Sequence, residues 1–385
     1  MGIQPIYLDN AASTRVTDEV LALMTEVMRT AWGNPSAAHP QGAAARAQIE
    51  TGRQRLLAAL GDPGGKLGDV VWTSGCTEAD ALAVLGAART RPGSIVVSSI
   101  EHPAVGAAAS RLGGEGRTVI EVAPGADGVL DPDAVAEAAA AAGVVAIVMV
   151  QNEVGIVQPV AAIANAVRRR TPGAHIHVDA AQAFGKVPLD VGALGADSVA
   201  IAGHKLHGPK GTGALWLRSG AVLEPLWVGG GQQHGLRGGT QDAPGAAGLG
   251  LAAERAIAAL PNARMRWLEL AGRVTSALDA RGIGYRQLVP DQRRSPPILA
   301  LGIPGVPASA LRTVLASRGV YISTGSSCAE RDTKPSAVLA SLALPADVGM
   351  VRLSFGLETT PDEVDAAASI LADVASELSP RRTPA

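Results

Sequence analysis

A lysine at the end of a predicted strand is the residue of this chain best suited to covalent chemistry. Residues 198–202, S-V-A-I-A, form an apolar run that predicts a buried strand, and Gly203 then leads to His204 and Lys205. In a partly desolvated pocket, a lysine amine has a lowered pKa and can form a Schiff base with an aldehyde. The same residues could also form an ordinary surface loop, so the assignment depends on what the other strand ends carry.

Polar residues follow the other predicted strands in the same way. The segment S-G-C-T-E (74–78) joins a strand to a helix, so the amides of Gly75, Cys76 and Thr77 would lie at a helix N-terminus, where phosphate binds. Later strands end in Glu101-His102, Gln151-Asn152-Glu153 and Asp179, with Gln182 one turn further on. A phosphate site, a ring that can stack, a carboxylate and a lysine are the parts that hold pyridoxal phosphate. Asp179 would keep the pyridine nitrogen protonated.

The elements that must position these residues alternate between strands and helices from residue 69 to residue 202. This alternation predicts an α/β fold with a mostly parallel central sheet and helices on both faces, and ligands bind at the carboxyl ends of such strands. Beyond Pro244 the pattern predicts two long helices separated at Pro261, followed by a smaller α+β region. We therefore expect a large cofactor-binding domain over 15–255 and a small domain formed by 1–14 and 256–385.

Composition narrows the class of partner. The 385-residue chain has a net charge of -2, and its longest basic block is Arg168-Arg169-Arg170, which argues against direct nucleic-acid binding. The first residues lack a basic segment followed by an apolar core, and the longest apolar run, 138–150, is too short to span a bilayer. We expect a cytoplasmic protein without membrane contact. Two cysteines, Cys76 and Cys328, form neither a disulfide framework nor a structural metal site, so no metal is predicted.

Several motifs together resemble one family. They are Y-L-D-N-A-A-S-T, G-N-P-S-A-A-H, T-S-G-C-T-E-A-D, E-H-P-A-V, N-E-V-G, H-V-D-A-A-Q, G-H-K-L-H-G-P-K-G, R-G-G-T and G-S-S-C. From Tyr7 to about Leu378 the sequence resembles the cysteine desulfurases of the class V aminotransferase family, the group that includes NifS and IscS. The resemblance implies the type I fold of transferases that depend on pyridoxal phosphate. It also implies conversion of L-cysteine to L-alanine.

The resemblance assigns a role to each candidate site residue. It implies a Schiff base at Lys205, His102 stacked on the pyridoxal ring and shuttling protons, and Asp179 paired with the ring nitrogen. It further implies that Asn152 and Gln182 lie near the phenolic oxygen. The phosphate would be bound by the segment Gly75, Cys76 and Thr77, by His204, and by Thr240 of the partner subunit. The substrate carboxylate would be bound by Arg352 with Asn34 and Asn10. The site at Thr240 implies a homodimer.

The same resemblance gives Cys328 the sulfur chemistry. Cys328 lies in S-T-G-S-S-C, a small polar segment suited to carry a thiolate over the cofactor, and the family passes the resulting persulfide to an acceptor protein. Cys76 is interpreted as a small buried filler. Ala202 stands where the family commonly has a serine hydroxyl directed at the phosphate, and residues 329–332 (A-E-R-D) replace the usual small residues, so the acceptor stays open. Iron-sulfur assembly, thiolation of tRNA or a cofactor, and sulfur modification of DNA or a metabolite are the alternatives.

Two other functions are alternatives to this prediction. A selenocysteine lyase or another class V aminotransferase-type enzyme could use the same scaffold, but a plain aminotransferase has no use for Cys328. A regulatory or scaffold subunit without turnover would not need Lys205, Asp179, His102, Arg352 and Cys328 together.

Overall fold

The computed structural model describes residues 5–325, 336–345 and 348–379, so the predictions for Cys328 lie outside the described residues. The strands are β1 (Ile6–Tyr7), β2 (Gly68–Thr73), β3 (Ser94–Ser98), β4 (Val119–Val122), β5 (Ala142–Val148), β6 (His175–Asp179), β7 (Ser198–Ala202), β8 (Gly213–Arg218), β9 (Arg286–Gln287), β10 (Ile298–Pro304), β11 (Val320–Tyr321) and β12 (Val348–Ser354). The helices are α1 (Asp18–Thr30), α2 (Pro40–Ala59), α3 (Cys76–Thr90), α4 (Pro103–Gly114), α5 (Pro132–Ala138), α6 (Val160–Arg170), α7 (Val191–Leu194), α8 (Ala243–Ala280), α9 (Ala308–Ser317), α10 (Ala337–Ser341) and α11 (Pro361–Leu378).

A seven-stranded sheet with the order β2-β8-β7-β6-β5-β3-β4 forms the centre of the larger part of the molecule. The pairs from β4 through β3, β5 and β6 to β7 are all parallel, whereas β8 is antiparallel to both β2 and β7. Separate hydrophobic clusters cover the two faces of the sheet: Val145 and Ile176 belong to one, and Val144 and Ala146 to the other. The predicted α/β fold with a mostly parallel sheet is confirmed.

Strand β8 was not predicted from the sequence. It directly follows the segment that contains Lys205, and it inserts between β2 and β7, which brings the start of α3 beside the end of β7. The contact is very close: a Cβ atom on Gly213 would lie 2.6 Å from the Cα atom of Gly75. Only glycine permits this approach.

The smaller part of the molecule contains the strand order β12-β10-β9, all antiparallel, and the parallel pair β1-β11. Its hydrophobic cluster joins residues of α8, α9, α11, β10 and β12 with Leu8 from the N-terminal segment. A bridge between Asp9 and Ser354 places that segment beside β12.

The expected break at Pro261 is wrong, because α8 is one helix of 38 residues with Pro261 inside it. Proline removes one backbone hydrogen bond, which normally kinks or ends a helix. Here residues up to Ala256 pack in the core of the large sheet, and residues from Ala263 pack in the core of the smaller part. Burial on both sides of the proline stabilises the continuous helix. The predicted domain boundary at 255/256 falls inside α8 and stays a prediction.

In the described ranges, no helix is long and apolar enough to cross a membrane.

Candidate active site

A cavity of about 630 Å³ opens where the strand ends meet the smaller part of the molecule. This volume suits a ligand the size of a small cofactor with a substrate. Ten of the predicted site residues line the cavity: Gly75, Cys76, Thr77, His102, Asn152, Asp179, Gln182, His204, Lys205 and Arg352.

Lys205 lies in a short 3-10 turn, Gly203–Lys205, directly after β7. Its Nζ donates hydrogen bonds to the backbone carbonyls of Ala11 and Ala12, the latter at 2.9 Å. Burial, together with the positive charge of Arg352, lowers the pKa of Lys205 to about 8. A lysine with this pKa offers a substantial fraction of free amine near neutral pH, as a covalent nucleophile needs.

Asp179 and His102 complete the floor of the cavity. Asp179 ends β6, and its Oδ1 accepts hydrogen bonds from the Ala181 amide at 2.8 Å and from Cys76 Sγ at 3.5 Å. His102 precedes α4, and its Nδ1 accepts a hydrogen bond from the Ala104 amide at 3.1 Å, so Nε2 carries the ring proton. Burial lowers the pKa of His102, while the charge of Asp179 raises it. His102 is therefore a neutral imidazole whose Nε2 proton can be donated to a ligand.

Asp179 belongs to a group of acidic side chains and one thiol, of which the sequence had singled out all but Asp80. We define the acidic cluster as Cys76, Asp80, Glu101 and Asp179. Cys76 Sγ lies 3.5 Å from Asp179 Oδ1 and 3.8 Å from Asp80 Oδ1, and the latter oxygen lies 3.1 Å from His177 Nε2. Burial raises the pKa of Cys76 and of Asp80 well above their usual values and that of Glu101 to about 8. Cys76 is thus a half-buried, protonated thiol that contacts Asp179, and its interpretation as a small filler stays a prediction.

The N-terminus of α3 also lines the cavity. Gly75 precedes α3, and a Cβ atom placed on it would meet nothing within 4 Å, so this stretch of backbone is open to a ligand. His204, in the 3-10 turn, lines the same cavity, with Nδ1 3.3 Å from Ser13 Oγ. Burial and the charge of Lys205 lower the pKa of His204 to about 4, so it is neutral. Helix amides and a neutral imidazole suit a phosphate group.

Lys210, Ser13 and Ser74 also line this cavity, and the sequence-based reasoning did not assign them. Lys210 lies in G-P-K-G, only five residues after Lys205, so its position in the motif was a usable signal. Ser13 lies in Y-L-D-N-A-A-S-T and Ser74 in T-S-G-C-T-E-A-D, so their motifs were a comparable signal.

Arg352, on β12, reaches the cavity from the smaller part of the molecule. Its Nη2 pairs with Asp9 Oδ1 at 2.7 Å, and its Nη1 donates to the Asn152 carbonyl at 2.7 Å. Its Nε is buried and has no hydrogen-bond partner in the described part of the chain. Arg352 is therefore held in place at the cavity wall and retains one unsatisfied donor.

Three predicted residues do not line the cavity. Asn10 is buried beside it, where its Nδ2 donates to the Ser354 carbonyl at 2.9 Å. Asn34 is exposed, and its Oδ1 accepts a hydrogen bond from the Ser36 amide. Thr240 is exposed in the segment before α8. The roles assigned to these residues stay predictions.

The chain is similar to known proteins over nearly its whole length. The family model for class-V aminotransferases matches residues 6–367. The chain belongs to the class-V aminotransferase family. It is 35% identical over 382 residues to a cysteine desulfurase from Cereibacter sphaeroides, with 98% of this chain and 97% of the relative covered. The predicted membership of the cysteine desulfurase group of class-V aminotransferases is confirmed.

Solved structures agree with this assignment. A NifS-like protein superposes with a TM-score of 0.88 at 31% identity, covering 97% of this chain and all of the other. The protein SspA, solved in complex with cysteine, has a TM-score of 0.77 at 30% identity, covering 91% of this chain and 98% of the other. Enzymes of the class-V aminotransferase family use pyridoxal phosphate. The cavity, with an amine of lowered pKa, a carboxylate and an open helix N-terminus, fits that cofactor.

Proposed function

We propose that this class-V aminotransferase is a cysteine desulfurase that uses pyridoxal phosphate to convert L-cysteine to L-alanine and carries the removed sulfur on Cys328. The observation that supports this proposal most strongly is the meeting of Lys205, Asp179, His102 and Arg352 at one cavity. Lys205 and Arg352 come from different parts of the molecule, so their meeting is a property of the fold. The complex of SspA with cysteine supports cysteine as the substrate.

The residues that would hold the cofactor divide by chemistry. Lys205 would bind it covalently, Asp179 would pair with its pyridine nitrogen, His102 would stack on its ring, and the α3 N-terminus with His204 would bind its phosphate. When bound, the cofactor withdraws electrons from the substrate α-carbon. Gln182 and Asn152 line the same cavity and would contact its remaining polar atoms.

Two residues are suited to move protons. Lys205 Nζ, with a pKa of about 8, can take the proton of the substrate α-carbon as a free amine. His102 Nε2 is directed away from the Ala104 amide and can pass a proton to or from a thiol. Arg352 would orient the substrate carboxylate through its planar guanidinium.

The sulfur step needs no external oxidant. The Cys328 thiolate attacks the substrate sulfur, an S–S bond forms and the bond between that sulfur and the β-carbon breaks. The electron pair of the broken bond leaves with carbon, which then takes a proton, so alanine is released and the persulfide stays on Cys328. An acceptor protein would take the terminal sulfur.

Mass spectrometry after brief exposure to cysteine tests this proposal. We expect one added sulfur on Cys328 of the wild-type enzyme, and no sulfide release by Cys328→Ser. Cys76→Ala is the matched control: we expect it to keep most of the turnover, because Cys76 begins α3 and is fixed against Asp179. A persulfide mapped to Cys76, or normal alanine production by Cys328→Ser, would contradict the proposal.

We also propose that the protein works as a symmetric homodimer in which Thr240 of the partner subunit completes the phosphate site. Thr240 is exposed and lies outside the cavity of its own subunit, which is compatible with this role. Sedimentation should give about twice the 38.8 kDa mass of the chain. A monomer with full activity would refute the proposal.

A further inference from the structure

Lys186 is a buried lysine that the proposed reaction does not use. Its exposed fraction is 8%, and its Nζ donates a hydrogen bond to Gln182 Oε1 at 2.6 Å. Burial, with the charges of Lys205 and Arg352, holds the pKa of Lys186 well below its usual range. Lysine is almost never fully buried without a specific reason, because its desolvation is costly.

The contacts of Lys186 lead directly to the active-site lysine. Gln182 accepts from Lys186 through Oε1 and donates through Nε2 to the Ala11 carbonyl at 2.7 Å. Lys205 Nζ donates to the same carbonyl. Lys186 and Lys205 also both line one small cavity of about 20 Å³ beside the active site. The two lysines are therefore joined through one side-chain amide and one carbonyl oxygen.

The orientation of the Gln182 amide depends on both of its neighbours. A donating amine meets only the oxygen of an amide, and a carbonyl meets only its NH₂ group. In the reversed orientation, Gln182 Oε1 would face the Ala11 oxygen with no hydrogen between them. Lys186 thus keeps Nε2 on the Ala11 carbonyl, where it occupies one of the two lone pairs that Lys205 could use.

We propose that Lys186 is a positioning residue for Lys205: by fixing the Gln182 amide on the Ala11 carbonyl, it weakens the hold of that carbonyl on the Lys205 amine. The inference rests on the proposed function, since it concerns the residue that would bind the cofactor. Without Lys186, Gln182 can turn away, Lys205 gains a stronger acceptor, and its ammonium form is stabilised.

Other charged groups also act on Lys205, and the test must leave them in place. Arg352 lowers the pKa of Lys205, and its remaining neighbours are Asp9, Cys76 and Asp179, which raise that pKa, together with His102, His204 and Lys186. The variants below change none of these groups except Lys186.

The test uses the cofactor-free protein. The rate at which an amine-reactive reagent labels Lys205 is measured against pH, with the site identified by mass spectrometry. For Lys186→Met we expect the midpoint to rise by ~0.5 pH unit or more, which is roughly threefold slower labelling near neutral pH. Gln182→Leu should give the same shift, and the double variant should add nothing further, because both act through one amide. Lys66→Met, at an exposed lysine, is the matched control and should leave the midpoint unchanged.

An unchanged or lowered midpoint in Lys186→Met, or shifts that add in the double variant, would overturn the inference. Thermal unfolding of each cofactor-free variant identifies any that does not fold. Should Lys186→Met fail to fold, Gln182→Met provides the same measurement from the other end of the contact. Labelling requires no bound cofactor, so failure of this inference and failure of the proposed function give different results.

Discussion

Two clusters of ionisable groups each contribute side chains to the cavity, and burial shifts the pKa values of some of their members in opposite directions. One is the acidic cluster, and we define the basic cluster as Lys186, Lys205 and Arg352. Burial raises the pKa of Asp80 and Glu101 and lowers that of Lys186 and Lys205. In both places burial disfavours the charged form. Glu101 and Lys205, each with a pKa of about 8, can therefore exchange a proton near neutral pH.

Arg352 is a buried charged group whose desolvation is offset by direct partners. It is 2% exposed, yet it has an ionic partner in Asp9 and a carbonyl partner in Asn152. A guanidinium keeps its charge in proteins, so it must be paired. The fold thus places a counter-ion in direct contact with Arg352, where charge is needed for binding. Lys205, where a neutral amine is needed for chemistry, forms no ion pair among the described residues and donates to backbone carbonyls instead.

The largest expected effect comes from removing the reactive member of the basic cluster. We expect Lys205→Ala to lose activity by more than ~10³-fold, because both covalent binding and proton transfer are lost. Visible absorbance of the purified enzyme and alanine production measure the two losses. Lys66→Ala, at an exposed lysine, is the control. A borohydride-reducible cofactor adduct retained in Lys205→Ala would show that another lysine is the attachment site.

A smaller loss is expected from replacing Asp179, the carboxyl group of the acidic cluster that lines the cavity. Asp179→Asn keeps the size of the side chain and removes its charge, so the protonated pyridine loses its partner. We expect activity to fall by at least ~10²-fold, as expected when a charged hydrogen bond in a buried site is lost. The cofactor-free variant should still fold. Asp133→Asn changes an exposed aspartate and should act like wild type; equal losses in both variants would contradict the assignment.

The sequence predicted the strand ends well, because each polar residue interrupts an apolar run. Lys205, Asp179 and His102 could be located in this way, and the order of elements then placed them at one edge of a sheet. Asp80 of the acidic cluster was missed because it lies inside a helix, where an aspartate is normally exposed. Nothing local shows that this face of α3 packs against His177.

Pairing between strands far apart in the sequence was the second feature that could not be predicted. Strand β8 pairs with β2, more than 130 residues earlier, and the expectation of parallel strands joined by helices left no place for it. The continuity of α8 likewise depends on two cores that flank Pro261. Local propensity predicts a break there, and tertiary packing overrides it.

Glu101 offers the most subtle test of the comparison, through stability. Its Oε1 accepts hydrogen bonds from Ser98 Oγ and the Val148 amide, and its Oε2 has no partner in the described residues. Burial raises the pKa of Glu101 from 4.5 to about 8 in the folded protein. The folded state therefore holds a proton that the unfolded state releases above pH 4.5. This contribution is complete below pH 4.5 and is lost as the pH rises through 8.

The contribution of Lys205, in the basic cluster, to stability changes with pH in the opposite direction to that of Glu101. Measurements against pH can therefore distinguish the two clusters. The folded pKa of Lys205 is depressed to about 8, so its contribution is present above pH 10.5 and is lost as the pH falls toward 8. We expect Glu101→Gln to flatten the loss of stability between pH 4.5 and 8 by up to a few kcal/mol. Above pH 8 the two profiles should have the same slope, and the difference in stability accumulated below pH 8 should persist. Thermal or urea unfolding of the cofactor-free protein against pH measures this, with Glu121→Gln at an exposed site as control. If Glu101→Gln and wild type kept parallel stability profiles from pH 4.5 to 8, Glu101 would be ionised in the folded protein, and the acidic cluster would not be held neutral by burial.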